Sequence, residues 1–236
     1  VNKKNIVCFI FARKGSKGIP NKNIQILDNI PLIAHSIKAG LDSPSIDHVI
    51  VSTDSQKIAD IALKFGAEVP FIRPKELAQD NSNELDAWKH GIKLYEQYYK
   101  KNIDVFISLP PTAPFRSTED IENCIKEFNN QDCDIVITVK EAKNNPYFNM
   151  VKNNSLGFSE IVIPGSERSF FRRQDAPKVF DMTTVAYVAD TRYILNSNGI
   201  LQGKVKSVVI PDDRALDIDN IIDFQFAKFL KEKNKK

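Results

Sequence analysis

Short apolar runs that alternate with stretches of helical periodicity constrain this chain most. NIVCFIFA (5–12), HVIVST (48–53), DVFISL (104–109) and DIVITV (134–139) are too short for membrane spans and too uniformly apolar for half-exposed strands. They read as buried strands. Between them, PLIAHSIKAGL (31–41), with Pro31 in its first turn, SQKIADIALKFG (55–66), closed by Gly66, and ELDAWKHGIKLYEQYYK (84–100) read as helices. In the last of these, Leu85, Trp88, Ile92 and Tyr95 recur at helical spacing. EVPFI reads as a further short strand. Ser117, three residues before Asp120, has the spacing of a capping box. VAYVAD and KVKSVVI restore strand character, and a last helix begins near Asn220.

Serial βαβ units predict an α/β fold: a doubly wound, mostly parallel, Rossmann-like sheet with helices on both faces. With 236 residues, one domain spanning 1–236 accommodates this. The pattern breaks over about 141–182, a stretch rich in Asn, Pro, Arg and aromatics and too long for an ordinary loop. It reads as a hairpin-like extension used in dimer contact. The KEKNKK tail reads as frayed.

Composition narrows the function classes. A formal charge of +3 is too small to argue for nucleic-acid binding. No apolar run approaches the roughly 20 residues of a membrane helix, and the apolar run after Lys3 and Lys4 is too short for a signal peptide. Cys8, Cys124 and Cys133 are odd in number and widely spaced, as expected of reduced thiols in a cytoplasm. The three histidines lack metal-site spacing and read as structural.

The chemistry concentrates in a few places. ARKGSKGIPNKN follows the first apolar run, where ligands of such sheets bind. Gly15 and Gly18 allow close backbone approach, and Arg13, Lys14, Lys17 and Lys22 supply charge for phosphate oxygens. Neither a Gly-Lys-Ser/Thr loop nor a G-x-G-x-x-G fingerprint is present. In LDIDN, Asp217 and Asp219 flank Ile218; in extended backbone both carboxylates face one side and can meet a hard cation while Ile218 turns inward. Asp212 and Asp213 read as solvated. In VSTDS, Asp54 or Ser55 reads as a helix cap. Arg73 in FIRPKELAQDNSNELD can bond a base carbonyl or a phosphate, and Pro110, Pro111 and Pro114 stiffen a site rim.

Taken in order, ARKGSKGIPNKN, VIVSTD, RPKELAQD, LPPTAPFRS, RRQDAPKVFD and LDIDN resemble the acylneuraminate cytidylyltransferase family from about residue 5 to residue 232. The resemblance implies a nucleotidyltransferase fold with an extension exchanged in a homodimer. It implies coupling of CTP to a nine-carbon sugar acid, giving a CMP-sugar and pyrophosphate. It places Arg13 and Lys22 on the triphosphate with help from Ser16, Asn23 and Arg73 at the cytidine, and Mg²⁺ or Mn²⁺ on Asp217 and Asp219. Arg173 and Gln174 would reach the partner's sugar site. Pro110 stands where sialic acid enzymes carry Gln, Asp181 and Thr183 replace an Arg and an Asn, and Glu84 replaces a small hydroxyl residue. These departures make a related nonulosonic acid, such as a legionaminic-type sugar, as good a fit as sialic acid.

Three other readings share some of these features. A 3-deoxy-manno-octulosonate cytidylyltransferase would share the fold. A glycosyltransferase would carry its D-x-D mid-chain rather than before the last helix. A non-catalytic nucleotide sensor would not need the acidic pair.

Overall fold

A computed structural model describes residues 3–79, 83–130, 132–164, 170 and 172–233. The elements in chain order begin with β1 (Ile6–Phe11), a small hairpin of β2 (Ile26–Leu27) and β3 (Ile30–Pro31), α1 (Leu32–Leu41), β4 (His48–Ser52) and α2 (Gln56–Lys64). Then come α3 (Glu84–Tyr99), β5 (Val105–Ser108), α4 (Thr118–Asn130), β6 (Ile135–Glu141), β7 (Val151–Asn153) and β8 (Ser159–Ile161). The chain closes with β9 (Phe180–Asp190), α5 (Thr191–Asn196), β10 (Val205–Val209) and α6 (Ile221–Lys233).

The central sheet has the order β10-β6-β9-β5-β1-β4. β1 pairs in parallel with β4 and β5, and β10 with β6, as serial βαβ units require. β9 is the exception. It runs antiparallel between β5 and β6, a mixed arrangement common in large sheets.

Helices cover both faces. Ile33, Ile37, Ile58, Ile121 and Ile125 from α1, α2 and α4 pack on one side. Leu85, Trp88, Ile92, Tyr95 and Ile194 from α3 and α5 pack on the other. The apolar face expected of 84–100 is therefore real, and Trp88 is fully buried against Phe106 and Tyr187. Truncating such a residue to alanine costs about 3–5 kcal/mol.

Several local expectations are met. Gly66 has φ +90° after α2, a conformation that favours glycine. The capping box is present: Asp120 accepts the Ser117 N–H at 2.9 Å, and Ser117 Oγ accepts the Asp120 N–H at 3.2 Å. Ile218 is buried, and Asp212 and Asp213 are exposed.

Other expectations need correction. Pro31 precedes α1 and ends β3 instead of opening the helix. EVPFI forms only a single bridge, Glu68 to Ile50, because Pro70 at its centre cannot donate to a ladder. The supposed extension is shorter than 141–182, since Glu141 ends β6 and Phe180–Met182 open β9. Between them lie the separate antiparallel pair β7–β8 and a helical turn at Arg173–Asp175. Residues 165–169 and 171 of this stretch lie outside the described residues. In the tail, Lys231–Lys233 are helical and 234–236 lie outside the described residues.

Candidate active site

The loop after β1 sits at the carboxyl end of the sheet and is held from three directions. The Lys14 N–H donates to Asp54 Oδ1 at 2.7 Å, which ties the loop to the end of β4. The buried side chain of Asn23 donates to the Arg13 carbonyl at 2.9 Å and closes the loop on itself. Lys22 Nζ donates to the Ile218 carbonyl at 2.7 Å and lies 3.5 Å from Asp219 Oδ1, joining residues 196 positions apart. Gly18 completes this junction. A Cβ there would stand 2.0 Å from the Asp219 carbonyl oxygen, so only glycine fits. Gly15 has nothing within 4 Å of a built Cβ and leaves its backbone open to a ligand. Of the two glycines expected to approach a ligand, Gly18 therefore serves the chain's own packing.

Asp54 corrects the cap reading. Ser55 occupies the cap position of α2 but makes no side-chain cap bond, and Asp54 instead holds the opening loop. Its charge also faces Arg73.

The D-x-D segment is built by its neighbours. The Ile218 N–H donates to the Thr112 carbonyl at 2.9 Å, fixing the extended backbone. Asp223 Oδ2 accepts the N–H groups of Asp219 and Asn220, while Asn220 Oδ1 accepts those of Ile222 and Asp223. This reciprocal cap starts α6 directly after the acidic pair. The two carboxylates differ. The Asp219 side chain is 74% exposed and lines the cleft. Asp217 is half-buried one layer deeper, and its Oδ1 has no hydrogen-bond partner. Burial pushes the Asp217 carboxyl up from its ordinary range; Asp219 adds to this, and the hydroxyls of Thr112 and Thr184 and the charge of Lys22 oppose it.

A cleft of about 490 Å³ brings together Arg13, Ser16, Lys22, Asn23, Arg73 and Asp219. Every residue expected on the nucleotide side is therefore at one site. Arg73 is 5% exposed and its Nε lacks a partner, so a donor is already desolvated at the cleft wall. Burial lowers its pKa from the ordinary value, Asp54 opposes, and Arg13 adds repulsion. Glu84, Pro110 and Thr112 close the cleft opposite. Glu84 is exposed by surface area, yet its carboxyl points into the crowded cleft. Desolvation there raises its pKa, Asp217 adds to the rise, and the Trp88 indole N–H opposes it without reaching hydrogen-bond geometry.

Arg173 and Gln174 are not at this cleft. They flank a separate hollow beside Ala142 and Asn145, where the Arg173 guanidinium donates to the Ala142 carbonyl. Sequence reading missed Asp54 as the loop's anchor, the Thr112–Thr184 pair at Asp217, and Asp223. Of these, only Asp223, four residues after Asp219, carries a spacing that reads as a cap.

Among the described residues no group of three or more His, Cys, Asp or Glu side chains could hold a metal. The unpartnered Oδ1 of Asp217, with Asp219 two residues on, fits instead a hard cation that takes the rest of its ligands from phosphate and water.

Comparison with known proteins supplies the family. The sequence model of the family described as cytidylyltransferase matches residues 7–198. The chain is 35% identical over 230 residues to the post-translational flagellin modification protein B of Campylobacter coli, covering 97% of this chain and 96% of that one. It is 36% identical over 227 residues to the CMP-N,N'-diacetyllegionaminic acid synthase of Campylobacter jejuni subsp. jejuni, covering 95% and 94%. The solved CMP:2-keto-3-deoxy-manno-octonic acid synthetase complexed with CTP superposes with a TM-score of 0.70 over 98% of this chain and 100% of that one. At 17% identity that likeness shows the fold alone. A family match over residues 7–198, together with relatives matched nearly end to end, shows that the chain belongs to the cytidylyltransferase family.

Proposed function

We propose that the protein couples CTP to a nonulosonic, sialic-acid-like sugar acid, giving a CMP-sugar and pyrophosphate. The observation that carries this reading is the clasp of Lys22 on Ile218 and Asp219, which sets a phosphate-type loop against the acidic segment, with Asp219 lining the shared cleft and Asp217 behind it. The sugar's hydroxyl oxygen attacks the α-phosphorus, its proton passes to water, and the bond to the β-phosphate's bridging oxygen breaks to release pyrophosphate. The barrier is chiefly electrostatic, because two anions meet and charge grows on the departing pyrophosphate. Arg13, Lys22 and the loop N–H groups, including that of Ser16, neutralise the phosphates. Asn23 and Arg73 hold the cytidine end, and Glu84 is placed to accept from the cytosine amino group and so to disfavour UTP. Asp217 and Asp219 would hold Mg²⁺ or Mn²⁺, which when bound neutralises and orients phosphate oxygens.

The sugar is a legionaminic-type acid in this reading. Two full-length relatives carry names in flagellin modification and legionaminic acid activation, and apolar Pro110 faces the cleft where a sialic acid enzyme would offer an amide. The 3-deoxy-manno-octulosonate alternative rests on fold likeness only. Single-chain residues 1–236 would act as one catalytic domain whose segment near 141–182 joins a homodimer, with Arg173 and Gln174 completing the partner's sugar site. A panel of nonulosonic acids with CTP and Mg²⁺, followed by pyrophosphate release and product mass, tests the function. Turnover with a legionaminic-type acid is expected to exceed that with N-acetylneuraminate. Turnover with 3-deoxy-manno-octulosonate alone would overturn the reading.

A further inference from the structure

Beneath the cleft lies a buried cation with no ion pair among the described residues. Arg116 is 7% exposed. Its Nε donates to the Val185 carbonyl at 2.7 Å, and its Nη2 donates to the carbonyls of Pro110 at 2.5 Å and Thr184 at 3.1 Å. Its Nη1 donates to Ser36 Oγ, which in turn donates to the Pro110 carbonyl at 3.2 Å. All of these acceptors are neutral. The charges of Asp217 and Asp120 act on it only from beyond ion-pair distance, so its burial remains costly, and the cost is tolerated where the fork fixes a geometry that apolar packing could not.

What it fixes is an irregularity in β9. The register jumps from Ile137↔Tyr187 to Thr138↔Thr183, so Thr184, Val185 and Ala186 have no partner on β6. On the other side β5 pairs only as far as Tyr187. These bulged residues would leave backbone groups unsatisfied in the sheet's interior. Arg116 takes the carbonyls of Thr184 and Val185. Thr138 Oγ1 lies 3.2 Å from the carbonyls of Thr183 and Ala186 and accepts the Ala186 N–H at 3.1 Å. Two side chains thus hold the bulge open.

The bulge turns Thr184 toward the acidic pair. Thr184 Oγ1 lies 3.3 Å from Thr112 Oγ1, and both hydroxyls are close enough to the Asp217 carboxyl to lower its pKa. Thr112 also anchors the Ile218 N–H, and Pro110, two residues earlier, is bonded by Arg116. Both backbone segments that bracket Asp217 therefore hang on one guanidinium.

We propose that Arg116 is a positioning residue for Asp217, setting the metal-holding carboxylate through the β9 bulge and the Pro110–Thr112 segment. The proposal rests on the reading of Asp217 and Asp219 as the metal pair. The test measures Mn²⁺ affinity in the presence of CTP without sugar acid, by electron paramagnetic resonance of free Mn²⁺, beside CTP affinity in chelator. Arg116→Lys keeps the charge but loses the fork, and about a tenfold or greater loss of Mn²⁺ affinity is expected, as for other residues that orient metal ligands. Ser36→Ala removes one bond to the guanidinium within a helix that tolerates alanine, and should weaken Mn²⁺ binding by about two- to fivefold. CTP affinity in chelator should stay within about twofold in both, since neither residue lines the cleft and the Pro110–Thr112 segment they support is separate from the Arg13–Asn23 loop and Arg73 assigned to the nucleotide.

Wild-type Mn²⁺ affinity in folded Arg116→Lys and Ser36→Ala overturns the proposal. A parallel loss of metal-free CTP affinity also overturns it, because that marks general disruption. If Arg116→Lys fails to fold, Ser36→Ala decides by itself. Asp217→Asn is the separate control: undiminished Mn²⁺ binding there would refute the metal reading, whatever Arg116 does.

Discussion

The opening loop and the stretch from 142 to 179 are both rich in Asn, Pro and basic residues, yet they are held in opposite ways. The loop is pinned by Asp54, by its own Asn23 and by the late Ile218–Asp219 segment, each from a different part of the sheet's carboxyl edge. The later stretch carries its own two-stranded sheet, and Met150, Val151, Leu156 and Phe158 stand exposed on it. A phosphate-binding loop must be preorganised before its ligand arrives, so the chain supplies its bonds internally. An exposed apolar hairpin instead resembles half of an interface, and Arg173 beside it lies away from the cleft of its own chain. On the proposed function, the nucleotide half would be complete within one chain and the sugar half would not.

The largest effect should come from breaking the complete half. Arg13→Ala and Asp217→Asn should each lower turnover by roughly a hundredfold or more, with neither variant less stable than wild type and oligomer mass unchanged. Steady-state kinetics beside light scattering checks this, and near-full activity in either folded variant would remove that residue from the clamp. Next, the incomplete half can be tested by mixing. Arg173→Ala and Asp217→Ala chains, each inactive alone, should recover about a quarter of wild-type activity after subunit exchange, because half the dimers are mixed and one of their two sites is intact. No recovery after demonstrated exchange would mean that each chain uses its own Arg173.

A smaller effect sharpens the loop's side of the comparison. Gly18→Ala must displace the Asp219 backbone, since its Cβ would fall 2.0 Å from that carbonyl. It should cost about 1–3 kcal/mol of stability and roughly tenfold in kcat/KM for CTP. Gly15→Ala has open space and should unfold at the wild-type temperature. Equal behaviour of the two would dissolve the clasp argument.

The smallest effect concerns pH. Burial raises the Asp217 carboxyl above its unfolded value. In chelator the folded chain therefore holds that proton more tightly, so this group's contribution falls as pH rises through the unfolded value toward the folded one. Asp217→Asn should be more stable than wild type at neutral pH and should lose that advantage near pH 3. A constant difference across that range, measured by denaturant unfolding, would contradict the burial of this carboxylate.

Much of this was legible in the residues because it is local. Short, uniformly apolar runs and a helical period of about 3.6 residues are local patterns, and they located the strands and helices to within a few positions. The Ser117–Asp120 box and Gly66 are signals confined to one turn. Arg13 to Asn23 and Asp217 to Asp219 declared charge and spacing suited to phosphate and a hard cation. Asp54 misled, because an acidic residue just before a helix looks like a cap, and only the Lys14 N–H across the sheet edge shows its other use.

By itself, then, the sequence determined the α/β class and the places of the basic glycine loop and of the Asp217–Asp219 segment, since each depends on residues within a turn or a strand of one another. The tertiary structure alone decided that Lys22 meets Ile218, that Gly18 is required by Asp219, that β9 enters the sheet antiparallel with a bulge, and that Arg116 is buried beneath the site. The physical reason is that these depend on pairs separated by some 70 to 200 residues. Their meeting is fixed by how sheet and helices pack, and no local repeat records it.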